Sequence, residues 1–556
     1  AEPFISYFPI GKGNNAPGPY APDRNNFAPR LSLAWNPSAQ NGLLGKVLGD
    51  RKTVIRAGGS VVYDRTSGAL TFLQDQFNFL FNNTVMTPFG MTDPVASLQN
   101  DPRFTGTGAL PLQNMAPAIT NPTTPNVVGG MPVGTATGQV NYAIDQHFKT
   151  PYSIEYSFGF QREMPHNFIL EMSYVGRQAR KLFSQVDAAQ ILDFRDPLSG
   201  QYMLSAFNGL QAQLQAGVSP AAITAQPWFE NQINAAIGAL APGATCAAAF
   251  GTNCTTFLAS QLGTLIQTGN TASVIQALAA NSLLAPNVGL SAQYAANAFV
   301  TNLGSSSYNG LLVSLRKRFS QGLQFDFNYT YSHSIDNLSS VSNTLAGGLI
   351  CDYRNLRACR GDSDFDIRHL VNINGVYDLP FGRGKAMAGN SRGVLNTLIG
   401  GWQVGGIFTL RSGLPFSLTT GAFPISLGNQ ALAVLNSGNT SALKQNINDA
   451  PDGSIQFFGN QTAALNAVSF TQNGGTGNRN VLRGPNFWNL DTSVLKNFRL
   501  PWSERQSLQF RWESFNALNN NAFALPLNNI SLPTFGQVTS SASMPREMQF
   551  ALRYQF

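Results

Sequence analysis

Strict alternation of apolar and polar residues is the feature that most restricts how this chain can fold. At the carboxyl end, every second residue is apolar: Met548, Phe550, Leu552, Tyr554 and Phe556. The same alternation runs through 152–161, 323–332 and 488–498. Residues i and i+2 share one side of an extended strand but not one side of a helix. These segments are therefore predicted to be strands with one apolar and one polar face.

The composition restricts the class of protein further. Charged residues make up 11% of the chain and hydrophobic residues 43%, with aromatics at 11%, whereas an average soluble protein has about 25% charged residues. No run of about 20 apolar residues occurs, so a membrane-spanning helix is not predicted. The net charge is +7, but the basic residues are scattered apart from Arg316, Lys317 and Arg318, so we do not expect a nucleic-acid partner. The combination is typical of a membrane β-barrel.

Eleven segments match the strand pattern, and the connectors between them alternate between short and long. The predicted strands are 29–35, 53–64, 147–162, 168–177, 306–319, 323–335, 366–379, 401–412, 486–498, 506–517 and 546–556. Short turns at one end and long loops at the other are typical of a transmembrane barrel. We therefore predict an all-β fold, a transmembrane antiparallel β-barrel, with residues 1–556 as one barrel domain. The longest loop, 178–305, is predicted to contain helices, and 65–146 and 413–485 to be irregular.

The two faces of the predicted strands differ in charge. The polar face, which would line an aqueous interior, carries the charged residues Arg30, Arg56, Glu155, Glu171, Asp326, Asp378, Asp491, Arg511, Glu513 and Arg553. Lys317 and Lys496 fall on the apolar face near the short-turn end, where a long side chain reaches the interface. Aromatic residues gather near strand ends, as at Trp35, Phe319, Phe498 and Tyr554, which predicts an interfacial girdle.

The four cysteines form two equally spaced pairs, Cys246 with Cys254 and Cys351 with Cys359. Their spacing differs from that of zinc ligands, and no C-x-x-C motif occurs. We predict two local disulfides, formed in an oxidising compartment.

Several blocks of the sequence resemble one family. They include NNFAPRLSLAWNP, KTVIRAGGSVVYDR, RGDSDFDIRHLVNINGVYDLPFGRGK, GGWQVGGIFTLRSGLPFS and PREMQFALRYQF. In this order they resemble strands of the Oar-like group of TonB-dependent outer-membrane receptors. The resemblance implies location in the outer membrane of a Gram-negative bacterium, with its lipid and lipopolysaccharide as surroundings. It also implies that the terminal aromatic residues Phe550, Tyr554 and Phe556 are the signal for the barrel-assembly machinery.

The family plan includes a 22-stranded barrel and an N-terminal plug that contacts TonB. No plug is found in the sequence, and eleven strands is an odd number, whereas bacterial single-chain barrels have even counts. We therefore expect the C-terminal half of such a barrel, unless Phe4–Ile10 supplies a twelfth strand. The family then implies transport of a large solute such as a siderophore, glycan or peptide. An adhesive surface protein that binds partners through its long loops is the alternative, and an enzyme is the less favoured one.

Few motifs suggest chemistry, and we expect no catalytic residue and no cofactor. Asp362, Asp364 and Asp366 alternate, so an extended chain would place three carboxylates on one side, and hard cations such as calcium accept such oxygen ligands. Because Arg354, Arg357, Arg360 and Arg368 are near in sequence, ion pairs are the favoured interpretation and a metal site the weaker one. The four histidines have no partner at metal-ligand spacing, and His333 is predicted to face lipid headgroups. Gly389–Gly393 matches the hydrolase motif G-x-S-x-G but lies in a short connector, without the strand and helix that the motif requires.

Overall fold

The structure is a computed structural model. It describes residues 18, 20–38, 41–42, 45, 48–64, 127–128, 131–132, 140–187, 190–284, 296–339, 350–426, 428–436, 440–472, 474–499 and 506–556. The segment Phe4–Ile10 and most of 65–146 lie outside these residues, so the prediction of a twelfth strand stays a prediction.

Eleven long strands form one sheet in which each strand pairs antiparallel with its neighbours in sequence. In chain order they are β1 (Arg30–Trp35), β2 (Thr53–Tyr63), β3 (Tyr152–Met164), β4 (Phe168–Asp187), β5 (Ala296–Ser320), β6 (Leu323–Asp336), β7 (His369–Asp378), β8 (Trp402–Arg411), β9 (Phe487–Arg499), β10 (Ser507–Phe515) and β11 (Glu547–Gln555). Each of the eleven predicted strands overlaps one of these, so the predicted all-β antiparallel fold is confirmed.

Two strands are longer than predicted. The sequence analysis ended the fourth strand at residue 177 and began the fifth at 306, but β4 runs to Asp187 and β5 starts at Ala296. The added part is a hairpin stem whose register shifts around Leu182, and these irregularities break the period-two pattern on which the prediction relied. The longest loop is therefore 188–295 rather than 178–305.

The connectors are sorted by length as predicted. Very short turns, 165–167 and 321–322, join β3 to β4 and β5 to β6. Long segments, 64–151, 188–295 and 412–486, connect the strands at their opposite ends. We call these two sides of the sheet, along the strand direction, the short-turn end and the long-loop end. Among the described residues no hydrogen-bonded pairing joins β1 to β11.

Helices occur mainly in the 188–295 segment, as predicted. They are α1 (Met203–Gln215), α2 (Pro227–Leu240), α3 (Cys246–Phe250), α4 (Cys254–Gln267) and α5 (Thr271–Ala280). They enclose a core around the fully buried Trp228, Phe229 and Leu258. Two short helices follow, α6 (Gly393–Ile399) between β7 and β8, and α7 (Gln461–Asn466) between β8 and β9.

Two short strands extend the main sheet, and the others form separate two-stranded pairings. Val140–Ile144 pairs in parallel with the start of β5, and Gly361–Asp362 pairs with the end of β6. The remaining short strands are Val127–Val128, Met131–Pro132, Pro415–Phe416, Val434–Leu435, Asn448–Asp449, Ile455–Gln456, Val468–Ser469 and Leu482–Arg483. Single-turn 3₁₀ helices occur at Pro165–Asn167, Pro220–Ala222 and Thr440–Leu443.

None of the helices in the described ranges is both long enough and apolar enough to cross a membrane.

Candidate functional site

The strand register separates the side chains of the sheet into two continuous faces. Partners opposite one another in an antiparallel pair share a face, and Phe327 lies opposite Leu315 and Ile373, while Trp512 lies opposite Val494 and Phe550. We call this the apolar face and the other the polar face. Large side chains of the apolar face are open to the surroundings: Phe550 is 69% exposed. A wide exposed apolar surface of this kind requires a non-aqueous partner.

The predicted interior charges all occupy the polar face. They are Arg30, Arg56, Glu155, Glu171, Asp326, Asp378, Asp491, Arg511, Glu513 and Arg553. Several form ion pairs along or across the strands: Arg316 with Asp326 at 2.7 Å and Arg511 with Glu513 at 2.7 Å. The polar face is thus a charged wall that suits water and hydrophilic solutes.

The two lysines on the apolar face are buried at the short-turn end. Lys317 Nζ donates to the carbonyl of His166 at 3.1 Å and to Ser320 Oγ at 2.7 Å, and it lies 5.1 Å from the ring centre of Phe168. Lys496, 1% exposed, donates to the carbonyl of Leu398 at 3.1 Å. The sequence analysis placed both lysines on the correct face and at the correct end of the sheet. It predicted that their side chains reach the membrane interface, whereas each ammonium group donates to backbone carbonyls of a turn.

The long-loop end carries a packed layer of loops that we call the cap: residues 190–284, 350–360, 412–486 and 516–546, where described. Backbone bonds tie the helices to the 412–486 loop, from Ala272 N to the Phe423 carbonyl at 2.9 Å and from Ile191 N to the Ile425 carbonyl at 2.8 Å. The side chain of Gln190 donates to Asp352 at 2.7 Å. The loops therefore support one another instead of standing apart.

A second hydrophobic core lies within the cap, between the 412–486 and 516–546 loops. Phe457 and Phe535 are fully buried there, and the rings of Phe458 and Phe535 stack with centroids 5.2 Å apart. Because the cap has two cores of its own, its shape is set by the burial of apolar side chains.

A charged cluster joins the cap to the sheet where β6 and β7 meet the long loops. We call His333, Asp362, Asp366, Arg368 and Arg483 the rim cluster. Asp362 lies 2.7 Å from His333 Nε2 and 3.1 Å from Arg368 Nη2. Arg483, from the 412–486 loop, contacts both carboxylates and donates to the Asp366 carbonyl at 3.0 Å. The Asp366 side chain is fully buried, and its charge is compensated by these two guanidinium groups.

A neighbouring pair extends this connection. Arg479 contacts the buried carboxylate of Asp336 at the end of β6 and donates to the Asp362 carbonyl at 3.1 Å. Asn480 donates to the Asp362 carbonyl at 2.6 Å and to Asp364 Oδ1 at 2.7 Å. The segment 479–483 is therefore bound to the sheet and the rim cluster by the polar side chains of Arg479, Asn480 and Arg483.

The electrostatics of Asp362 follow from its contacts. Burial acts to raise the pKa of Asp362, but the hydrogen bond from His333 and the nearby Arg483 outweigh it and hold the pKa below its ordinary value. Asp362 is thus ionised and paired at neutral pH.

The predicted acidic triplet is only partly brought together. Ligand atoms of Asp362 and Asp366 lie within 4.8 Å of one another and of a nitrogen of His333. The Asp364 carboxylate instead accepts from Asn480, and the Asp364 backbone N–H donates to the Ser339 hydroxyl. The expectation that His333 has no metal-spaced partner is wrong, because the Gly361–Asp362 pairing brings a carboxylate beside it. His333 does share the strand face of Tyr329 and Tyr331, as predicted, and its exposure to lipid headgroups stays a prediction. The arginines already occupy the carboxylate oxygens that a cation would use.

Sequence reasoning identified only part of the ion pairing. Arg368 pairs with both carboxylates as expected, but Arg354 donates instead to the carbonyl of Gln190 at 2.9 Å. Among the described residues, neither Arg357 nor Arg360 has an ion-pair partner. Arg479 and Arg483 were missed because they lie more than 100 residues from their partners, and no local pattern marks them.

Both cysteine pairs form disulfides in the structure, Cys246 with Cys254 and Cys351 with Cys359. The first joins the starts of α3 and α4, where both cysteines are buried in the helical core. The second closes the 350–360 loop against Val186 at the top of β4.

An antiparallel sheet with an exposed apolar face, a charged opposite face and loops sorted by length defines a membrane β-barrel protein. The family model described as outer membrane beta barrel domain matches residues 6–549, and the chain belongs to this family. The predicted location in the Gram-negative outer membrane is thereby confirmed.

Solved structures of outer-membrane proteins are similar to this chain at low identity. The outer membrane transporter YddB from Escherichia coli matches at a TM-score of 0.39 and 10% identity, over 95% of this chain and 40% of that chain. The siderophore receptor PirA from Acinetobacter baumannii matches at 0.33 and 9%, over 95% and 41%. The pyoverdine receptor FpvA from Pseudomonas aeruginosa matches at 0.30 and 7%, over 91% and 34%. This chain thus spans well under half the length of these structures. No curated protein matches it.

Proposed function

We propose that the chain forms the barrel part of a TonB-dependent transporter that moves a large solute, such as a siderophore, glycan or peptide, across the outer membrane. The carrying observation is the polar face, on which each strand from β1 to β11 carries at least one charged side chain. Inside a barrel this face would offer a hydrophilic solute a polar path. The sequence blocks that resemble TonB-dependent receptors support energised transport.

In this proposal the cap makes first contact with the solute, and the barrel-assembly machinery inserts the chain by its terminal strand. The exposed aromatic residues Phe550, Tyr554 and Phe556 would present the insertion signal. TonB would act through a plug domain. The sequence blocks that resemble TonB-dependent receptors correspond to barrel strands and not to a plug.

We propose no catalytic role for the chain. A histidine and an aspartate do lie in hydrogen-bond contact in the rim cluster, which is the first requirement for a hydrolytic site. However, the nearby Ser334 hydroxyl bonds Ser363 Oγ at 2.7 Å and the Ser332 hydroxyl donates to the Ile367 carbonyl at 2.9 Å. Asp362 is already neutralised by two arginines, so it supports loop attachment better than catalysis.

Uptake by cells that express the protein containing this chain tests the proposal. The probes are a labelled iron(III) hydroxamate, an oligosaccharide and a decapeptide, each measured with and without functional TonB. We expect uptake of one probe that stops without TonB. Arg511→Glu, on the polar face, should lower that uptake, while the matched Arg51→Glu, exposed in the connector between β1 and β2 at the short-turn end, should not. TonB-independent uptake would contradict energised transport, and surface binding without uptake would favour adhesion.

A further inference from the structure

The segment 379–401, between β7 and β8, presents an apolar surface at the short-turn end. Helix α6 turns Val394, Leu395 and Leu398 outward, with exposures of 77%, 56% and 61%. Of its two polar residues, Thr397 is exposed, whereas Asn396 faces inward and accepts from the Arg383 backbone N–H at 2.7 Å. This orientation is the reverse of a helix that packs its apolar side on a protein core.

Side chains of the sheet hold the helix in this orientation. The indole Nε1 of Trp402 donates to the Leu398 carbonyl at 2.9 Å, and the buried Lys496 donates to the carbonyls of Leu398 and Gly400. Trp402 and Lys496 both belong to the apolar face, and Lys496 lies against the rings of Trp402 and Phe498. The exposed side of α6 is therefore continuous with the apolar face of the sheet.

The rest of the segment adds further apolar side chains. Phe381 and Met387 are 39% and 54% exposed. Backbone bonds from Gly382 N to the Met387 carbonyl at 3.0 Å, and from Met387 N to the Pro380 carbonyl at 2.8 Å, close this part into a compact turn. The apolar surface is therefore built into the fold of the turn.

The charges of the segment have one sign. Its charged side chains are Arg383, Lys385 and Arg392, all exposed, and it contains no acidic residue. Lys385 lies 3.8 Å from Asp378 at the end of β7. Within the described residues, Arg383 and Arg392 have no carboxylate partner. Exposed apolar residues beside unpaired cations favour a surface that is apolar inside and anionic outside.

We propose that residues 379–401 lie in the headgroup layer of the periplasmic leaflet and bind anionic phospholipid. In outer-membrane barrels the short turns are periplasmic, which places α6 at that leaflet. Val394, Leu395 and Leu398 would enter the acyl boundary, and Arg383, Lys385 and Arg392 would contact lipid phosphates. The inference depends on the outer-membrane location and not on transport.

A fluorescent probe on α6 tests the apolar part of the proposal. All four cysteines form disulfides, so a cysteine introduced by Val394→Cys can be labelled selectively with an environment-sensitive dye in the full chain. In vesicles that contain phosphatidylglycerol, we expect blue-shifted emission and quenching by spin-labelled lipid. The matched probe is Ser441→Cys, exposed in the cap, which should be neither shifted nor quenched. Equal emission from the two probes in folded protein would overturn the proposal.

Lipid selectivity tests the charged part. The readout is the ratio of quenching by spin-labelled phosphatidylglycerol to quenching by spin-labelled phosphatidylcholine. One cation near an anionic surface strengthens lipid binding roughly fivefold, so the triple variant Arg383→Gln, Lys385→Gln and Arg392→Gln should reduce the ratio by at least that factor. Salt should reduce the wild-type ratio as well. A quenching ratio that the triple variant leaves unchanged would overturn the recognition of anionic lipid. A blue shift of the Val394→Cys probe that occurs only when periplasmic extract is added would overturn lipid binding and indicate a protein partner.

Discussion

Nε2 of His333 lies 2.7 Å from Oδ1 of Asp362, which links strand β6 to the loop that leads into β7. The other oxygen of Asp362 contacts Arg368 and Arg483, and Arg483 belongs to the 412–486 loop of the cap. One carboxylate therefore joins the sheet and the cap. Because Asp366 beside it is buried with its charge, the cluster is stable only while its arginines are in place.

Replacing Arg483 tests this attachment. Arg483→Met leaves the buried Asp366 with Arg368 as its remaining cationic partner, at 3.4 Å, and we expect a loss of about 3 kcal/mol in the stability of the cap. Limited proteolysis of the 412–486 loop in the intact protein measures it. The control is Arg546→Met, at an exposed position, and equal protection of both variants would contradict the role of Arg483.

Acid should loosen the same attachment. The pKa of Asp362 lies below its ordinary value of 3.8, so its ionised form stabilises the fold fully above that pH. This stabilisation is lost as the pH falls through the lower pKa of the folded state. Proteolysis of the cap should therefore rise below about pH 4, and Asp362→Asn should weaken the attachment already at neutral pH. An Asp362→Asn cap as resistant as wild type at pH 7 would contradict the prediction.

The helical part of the cap has a separate acid-sensitive group. Burial acts to raise the pKa of Asp196, but hydrogen bonds from Ser199, Asn231 and Gln232 outweigh it and lower the pKa to about 2. The ionised carboxylate thus stabilises the helices above the ordinary pKa, and this contribution disappears between pH 3.8 and about 2. We expect Asp196→Asn to cost about 1 kcal/mol at pH 7, allowing for screening by water. Circular dichroism followed during acid titration measures it, with the exposed Asp449→Asn as control.

The strands could be predicted from the sequence because each carries its own signal. In β6, Phe325, Phe327 and Tyr329 repeat every second residue, and the opposite face is polar throughout. The cysteine pairs are local in the same way. The stem of β4 and β5 was missed, because the positive φ of Lys181 and the shifted register around it remove the alternation.

The rim cluster could be predicted only in part because it is made by loop packing. Asp362, Asp366 and Arg368 are near in sequence and were recognised as possible partners. Arg483 comes from the distant 412–486 loop, and its neighbours in sequence do not distinguish it from the other arginines of the chain. The contact of His333 with Asp362 was missed because the strand face of His333 was known but the adjoining Gly361–Asp362 pairing was not.

Lys496 is predicted to stabilise the short-turn end. Lys496→Met keeps the length of the side chain but leaves the Gly400 carbonyl without its donor and the Leu398 carbonyl with Trp402 Nε1 alone. An unsatisfied buried acceptor costs about 1–3 kcal/mol. Denaturant unfolding of the protein in vesicles measures the free energy. The control is Lys444→Met, exposed in the cap. Equal midpoints for the two variants would show that the buried contacts of Lys496 contribute nothing.

The disulfide of the helical core is predicted to be important for the cap. Replacing Cys246 and Cys254 together by serine removes a short cross-link, with an expected cost of roughly 2–3 kcal/mol. Thermal unfolding and proteolysis of residues 190–284 in the full chain measure the loss. Native oxidised protein should not react with thiol reagents, and labelling of any of the four cysteines would contradict the pairing.

The assignment of the apolar face to lipid is tested at the last strand. Phe550 lies on that face opposite Trp512 and 6.3 Å from the ring centre of Phe510. Phe550→Asp places a carboxylate in hydrocarbon and removes these ring contacts, so we expect assembly into the outer membrane to fail. The matched control is Ala551→Asp, one residue along the same strand, on the polar face opposite Arg511, where the new charge gains a cationic partner. We expect Ala551→Asp to assemble normally, measured as folded protein in the outer-membrane fraction. If both variants assemble equally well, every second residue of β11 cannot face lipid, and the orientation of the whole sheet would have to be reversed or abandoned.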